Sequence, residues 1–202
     1  MVYNTIVTLG DLEINLDELA EAIVQGKKRG FASGNAPIKL PDGSEAFYSS
    51  FGNFDYYDQW RGSPQFQGIT TVRWQKSTGQ AIWQMVYSGG LTVLNKKTAE
   101  VDGKIVTPFL REALMRVSVH FPFRGPNSRY TPEFTAPSYE EGNLQYFNRV
   151  HGGDLKRFIG EEWINFKTRD NNVNDSRALF SLYYSGGLVV PKEGMKIRAT
   201  YK

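Results

Sequence analysis

The sequence predicts an α+β fold in which two tandem helix-plus-antiparallel-sheet repeats pack as one pseudo-two-fold domain spanning residues 1–202. Three observations carry that reading. The string Tyr-Ser-Gly-Gly-Leu-x-Val occurs twice, beginning at Tyr87 and at Tyr184. Residues upstream of it recur at near-constant offsets: Leu16 and Phe109 stand 93 apart, Gly34 and Gly125 stand 91 apart, Phe66 and Phe158 stand 92 apart. Each copy also passes from a stretch of helical period into aromatic segments of alternating period. Repeat one falls at about 12–94 and repeat two at about 107–190. Tyr87 and Tyr184 lie 97 apart because the second hairpin loop, Arg169–Ser176, is longer than the first.

The first helix is read from Leu16, Leu19, Ala20 and Ile23, which share a helical face. Asn15 is its expected N-cap, Asp17 and Glu18 occupy its first turn, and Gly26 is its expected end. The basic run Lys27-Lys28-Arg29 beside that end is read as complementing the helix dipole. A bend follows at Ala32-Ser33-Gly34-Asn35, then an aromatic strand through Tyr56-Tyr57-Asp58-Gln59-Trp60, then Ile69–Trp74 and its hairpin partner Ala81–Tyr87. A polar linker, Asn95–Thr107, carries Asp102-Gly103 as a turn. The second helix opens at Thr107-Pro108, proline being favoured at the first helical position, and buries Phe109, Leu110, Ala113, Leu114 and Val117. The bend Phe123-Arg124-Gly125-Pro126-Asn127 leads into Tyr146–Val150, then Glu161–Phe166 and Ala178–Tyr184, and Glu193–Lys202 alternates as a last strand.

Composition sets the outer limits. Of 202 residues, 40% are hydrophobic and 14% aromatic, enough for a substantial core in one globular domain. No apolar run is long enough for a membrane helix, and Met1–Gly10 shows no basic segment leading an apolar one, so neither a membrane partner nor a secretory signal is expected. Cysteine is absent, which excludes disulfides, thiolate metal sites and a cysteine nucleophile, and fits a reducing cytoplasm. Net charge is only +3 and no long basic stripe exists, which argues against a nucleic-acid partner.

Strand phase nominates the residues that could carry chemistry. Phe158, Gly160, Glu162, Ile164 and Phe166 share one face, so Glu162 points with apolar residues, whereas Thr70 stands at the same place in the first half. A carboxylate held there must be paired or hydrogen-bonded. It is read either as part of a site or as a structural partner of an arginine. Arg124, on the rigid Arg124-Gly125-Pro126 turn, could fork onto a carboxylate or phosphate, or simply pair with Glu133, Glu162 or a chain carbonyl. Trp83, Met85 and Tyr87, matched by Phe180, Leu182 and Tyr184, read as core. The opposite phase, with Gln84, Val86, Ser181 and Tyr183, is a mixed face. His120 reads as a packing residue, and His151, before Gly152-Gly153-Asp154, is the better general-base candidate. No His-x-x-x-His spacing, nucleophile elbow or Walker motif occurs, so no metal and no cofactor are expected.

The assembled pattern resembles a family of bacterial domains of unknown function whose members stand alone or follow a helix-turn-helix domain. Phe109–Ala113, Phe123-Arg124-Gly125-Pro126, Phe158-x-Gly160-x-Glu162-x-Ile164 and Tyr184-x-Gly186-Gly187 carry the resemblance. Phe66-x-Gly68, Trp83-x-Met85 and Tyr87-x-Gly89 echo it in the first half. The resemblance implies a bacterial or phage-like source, an α+β fold and a ligand-sensing role. It implies no reaction. The function expected is therefore a non-enzymatic domain that binds a small polar or anionic ligand between the repeats, for sensing or sequestration of a nucleotide-like signal. Arg124, Glu162, Tyr183, Trp60 and Arg129 form the expected ligand-binding set. The alternative is a hydrolase or isomerase with Glu162 and His151 as acid and base. A second alternative is a protein-interaction or structural module that self-associates, as a homodimer, through an open strand edge or an aromatic patch.

Overall fold

The computed structural model describes residues 5–75, 79–92, 102–130, 135–167, 178–189 and 199–201. The Arg169–Ser176 loop, the first part of the Asn95–Thr107 linker, Glu133, the valines ending the two shared strings and most of the Glu193–Lys202 tail lie outside those residues.

The chain enters through a hairpin that the sequence reading missed. Strands β1 (Thr5–Leu9) and β2 (Leu12–Asn15) turn about Gly10, whose φ of +63° suits glycine, and β14 (Ala199–Tyr201) pairs along the outer edge of β1. Leu12 and Ile14 precede the helix not as part of its apolar face but as a strand, with Ile14 buried beside Val7 and Leu9.

Asn15 then caps α1 (Leu16–Arg29): its side-chain oxygen accepts from the Asp17 N–H at 2.9 Å and the Glu18 N–H at 3.5 Å. The helix ends at Gly30 and not at Gly26, which lies within it at the start of its last turn. A glycine is needed there because the Tyr56 ring lies flat on the helix, and a Cβ on Gly26 would stand 2.2 Å from Tyr56 Cγ. Alanine normally stabilises a helix interior over glycine by about 1 kcal/mol. At this position Gly26→Ala is expected to cost about 1–3 kcal/mol instead, because the ring must shift in a packed core. A rise in thermal midpoint for Gly26→Ala would show that the ring is free to move away.

A 3₁₀ turn (Phe31–Ser33) follows α1, and a π-helical turn (Asp102–Val106) replaces the expected Asp102-Gly103 turn ahead of α2 (Thr107–Leu114). Pro108 and the buried Phe109, Leu110, Ala113 and Leu114 of α2 stand as the sequence predicts.

The rest of the described chain is one nine-stranded antiparallel sheet and a small two-stranded one, β8 (Arg129–Tyr130) with β9 (Thr135–Ala136). The first half supplies β3 (Ile38–Lys39), β4 (Glu45–Phe51), β5 (Phe54–Arg61), β6 (Gln65–Trp74) and β7 (Ala81–Leu91). The second half supplies β10 (Tyr139–Glu141), β11 (Leu144–Asp154), β12 (Arg157–Phe166) and β13 (Phe180–Leu188). Their order is β10-β11-β12-β13-β7-β6-β5-β4-β3, so β7 and β13 meet at the centre with Tyr87 opposite Tyr184. The two Gly-Gly pairs end these central strands where neighbouring backbones approach. A Cβ on Gly90 would lie 2.0 Å from the Pro64 carbonyl oxygen, and one on Gly187 would lie 2.1 Å from that of Lys156.

Both helices pack on one face of the sheet. That face carries Tyr56, Val72, Trp83, Met85, Tyr146, Ile164, Leu182 and Tyr184, all buried in one continuous core with α1, α2 and the β1–β2 hairpin. The opposite face exposes Val86, Ile159 and Tyr183. The architecture is thus α+β, a large antiparallel sheet with two short helices. No helix among the described residues is long and apolar enough to cross a membrane.

Candidate functional site

The period-two alternation of β5, β6, β11 and β12 puts polar side chains into the helix-covered face at equivalent depths. Tyr56, Asp58 and Trp60 point inward from β5, with Asp58 opposite Thr70 of β6. Tyr146 and Asn148 point inward from β11, with Asn148 opposite Glu162 of β12. A buried polar layer results, and each member finds a partner through its neighbour.

Asp58 accepts the Thr70 hydroxyl and the Tyr87 hydroxyl, both on Oδ1 at 2.9 Å, which leaves Oδ2 without a bond among the described residues. Asn148 accepts the Tyr184 hydroxyl at 2.6 Å and donates to the Gly125 carbonyl at 2.9 Å. Glu162, 0% exposed, takes Arg124 Nε at 3.1 Å and Nη2 at 2.6 Å on Oε1, and the Tyr146 hydroxyl at 2.5 Å on Oε2. Burial pushes the Arg124 guanidinium towards the neutral form, but the Glu162 carboxylate more than offsets this and holds its pKa above the ordinary arginine value. Tyr56, Tyr87 and Tyr146 stay neutral far above their ordinary range, chiefly because burial disfavours the phenolate.

Between this layer and the ends of the helices lies a cavity of about 310 Å³. Phe31, Phe47, Trp60, Phe66, Tyr87 and Phe180 wall it, and Asp58 and Arg124 form its polar floor. The rings brace one another: Trp60 stacks on Phe47 at 5.4 Å and meets Phe31 edge-on at 6.2 Å, while Phe66 packs against Phe180 at 6.1 Å. Arg111, from α2, lies over the Phe31 ring at 5.1 Å and adds a guanidinium to the lining. Since Nε and Nη2 of Arg124 are both spent on Glu162, Nη1 has no hydrogen bond among the described residues, and Arg124 lines the cavity. The cavity therefore offers flat apolar walls, a fixed cationic donor and an anionic acceptor, enough to orient a small planar molecule by its polar edge. Among the described residues no group of three or more His, Asp or Glu could hold a metal.

The predicted site residues do not converge. Arg124 and Trp60 meet at this cavity, but Glu162 is not in its lining and holds Arg124 from behind, a closed ion pair rather than a group a ligand can touch. Tyr183 projects from the other face, 64% exposed, into an open depression that also reaches the edge of Trp60. Arg129 and His151 line a third, polar depression beside Arg149, where His151 Nε2 lies 3.1 Å from Glu161 Oε1. His120 is exposed in the turn after α2.

Two charged residues escaped notice in the sequence. Asp58 sits on the same strand phase as Tyr56 and Trp60, a signal that was present. Lys27 hides inside the basic run Lys27-Lys28-Arg29. It is read from sequence as a dipole-complementing surface residue, but the turn of α1 directs it into the core, where it is 8% exposed.

No curated protein and no solved structure matches the chain. A family model described as a domain of unknown function (DUF5680) matches residues 58–189, a span that begins at Asp58 and takes in Trp60, Tyr87, Arg124, Glu162 and Phe180. With about two thirds of its length so matched, the chain belongs to that family, the domain of unknown function DUF5680.

Proposed function

We propose that this protein is a non-catalytic binding domain that holds a small, planar, polar or anionic molecule in the aromatic cavity, in a reducing cytoplasm. One observation carries the reading: Arg124, whose Nη1 has no hydrogen bond among the described residues, is fixed from behind by Glu162 on the floor of a cavity walled by six aromatic rings. A guanidinium locked in this way is preorganised for a carboxylate, carbonyl or heteroaromatic acceptor. Asp58 Oδ2 beside it suits a donor on the same ligand edge.

The two halves are read as degenerate copies related by a two-fold axis between β7 and β13. The mirrored strand order and the facing Tyr87 and Tyr184 support this. So do the matched rings that cover Gly68 and Gly160, Tyr87 on the first and Tyr184 on the second. The cavity then lies between the copies, since Asp58, Trp60 and Phe66 come from one and Leu110, Arg124 and Phe180 from the other.

A thermal-shift screen with aromatic carboxylates and nucleobases tests the proposal. A compound at a hundred times its Kd is expected to add about 2.7 kcal/mol of stability. Trp60→Ala, which removes a wall without touching the ion pair, is expected to abolish that gain. If no compound stabilises the protein, or if Trp60→Ala responds as the parent does, the cavity is not the binding site.

A further inference from the structure

Adjoining the aromatic cavity is a second space of about 20 Å³ that shares Phe31, Asp58 and Arg124 with it and reaches back to Lys27 and Tyr56. It is large enough for one water-sized group. Lys27 is buried there with no hydrogen bond and no ion pair among the described residues, although Asp58 and Arg124 both face the same space. An ammonium with so little access to water is costly to keep charged.

The geometry points to Lys27 as an amine nucleophile for the carbonyl carbon of a small aromatic aldehyde or ketone seated in the cavity, a role that rests on the ligand-binding reading above. The Nζ lone pair attacks the carbonyl carbon, so a C–N bond forms as the C=O π bond opens. Nζ gives up two protons to the carbonyl oxygen, which departs as water and leaves an imine. Asp58, on the shared wall, can carry the first proton from nitrogen to oxygen. No oxidant or reductant enters. The surroundings favour the reacting, uncharged amine: burial first, then the Arg124 guanidinium, bring Lys27 down to about 7, against an upward pull from Asp58 and Glu162. Reversible covalent capture of this kind is compatible with a binding domain.

The test is reductive trapping of the full chain with benzaldehyde and sodium cyanoborohydride at neutral pH, followed by peptide mass mapping. Label is expected on Lys27 about tenfold or more faster than on exposed lysines. Its rate should be half-maximal near pH 7, a profile that a merely structural lysine would not give. Trp60→Ala should slow Lys27 labelling while leaving surface labelling unchanged. Absent or merely average labelling of Lys27 overturns the inference. A parallel thermal shift with benzoate separates the two readings. Stabilisation by benzoate with Lys27 silent removes the nucleophile alone, whereas no stabilisation with Lys27 silent removes the cavity as well.

Discussion

Glu162→Leu is expected to cost about 3–5 kcal/mol of unfolding free energy, measured as a lowered urea midpoint at unchanged slope. The substitution removes the acceptor of three bonds at once, those from Arg124 Nε, Arg124 Nη2 and the Tyr146 hydroxyl. The guanidinium is left charged in a core where the leucine can offer it nothing. The size of the effect comes from that orphaned charge and not from the worth of the pair itself. Accordingly the double variant Arg124→Met with Glu162→Leu should recover most of the loss, since an apolar pair of similar volume spares both desolvation costs. A loss below about 1 kcal/mol for the single variant would place the pair in water, as exposed pairs behave. The double variant also separates stability from function: it should fold and yet bind nothing in the cavity, because Arg124 Nη1 is gone.

How much of this could be read in advance differs by the distance over which each feature is determined. The N-cap at Asn15 and the opening of α2 at Thr107-Pro108 depend on residues within a turn, and both stand where local chemistry puts them. Gly26 was misplaced as a helix end because glycine has two uses. Local sequence suggests the conformational one, while the steric one depends on Tyr56, thirty residues away and invisible until the strand docks. The β1–β2 hairpin escaped for a different reason: Leu12 and Ile14 do alternate with strand period, but two apolar residues are too few to stand out beside the helical run that follows. Strand phase correctly turned Glu162 inward and Arg124 was singled out from its rigid turn, and the two meet. What phase could not supply is which buried group faces a cavity and which faces a partner. That distinction separates Asp58, on the floor of the cavity, from Glu162, sealed behind Arg124, although both occupy inward positions, on strand pairs that flank the central β7 and β13.

The halves also differ in how they balance buried charge. Glu162 has Arg124 at 2.6 Å, whereas among the described residues Asp58 is held by the neutral hydroxyls of Thr70 and Tyr87. The remaining buried cation, Lys27, feels Asp58 across the small cavity without an ion pair. The first half thus keeps an acid and a base apart in the core.

That separation has a measurable consequence in the pH dependence of folding. Lys27 stands at about 7 in the folded protein against an ordinary value of 10.5, mainly because burial disfavours the ammonium and secondarily because Arg124 repels it. Between those two values the unfolded chain holds a proton that the folded chain has released. Raising the pH through that window therefore favours folding, with a slope of up to about 1.4 kcal/mol per pH unit. Below pH 7 both states are protonated and the full cost of burying the ammonium is felt. Above pH 10 the sign reverses, since the buried tyrosines Tyr56, Tyr87 and Tyr146 keep their protons while the unfolded chain sheds them. Urea unfolding of the parent at pH 7, 8, 9 and 9.5 should show stability climbing by about 1 kcal/mol per unit. Lys27→Met should flatten that climb, and at pH 7 it should be more stable than the parent by several kcal/mol, on the order of the whole shift. A parent whose stability is level from pH 7 to 9.5, or a Lys27→Met variant that climbs just as steeply, would mean that the ammonium finds water or a carboxylate. The core would then carry no uncharged amine for the cavity to use.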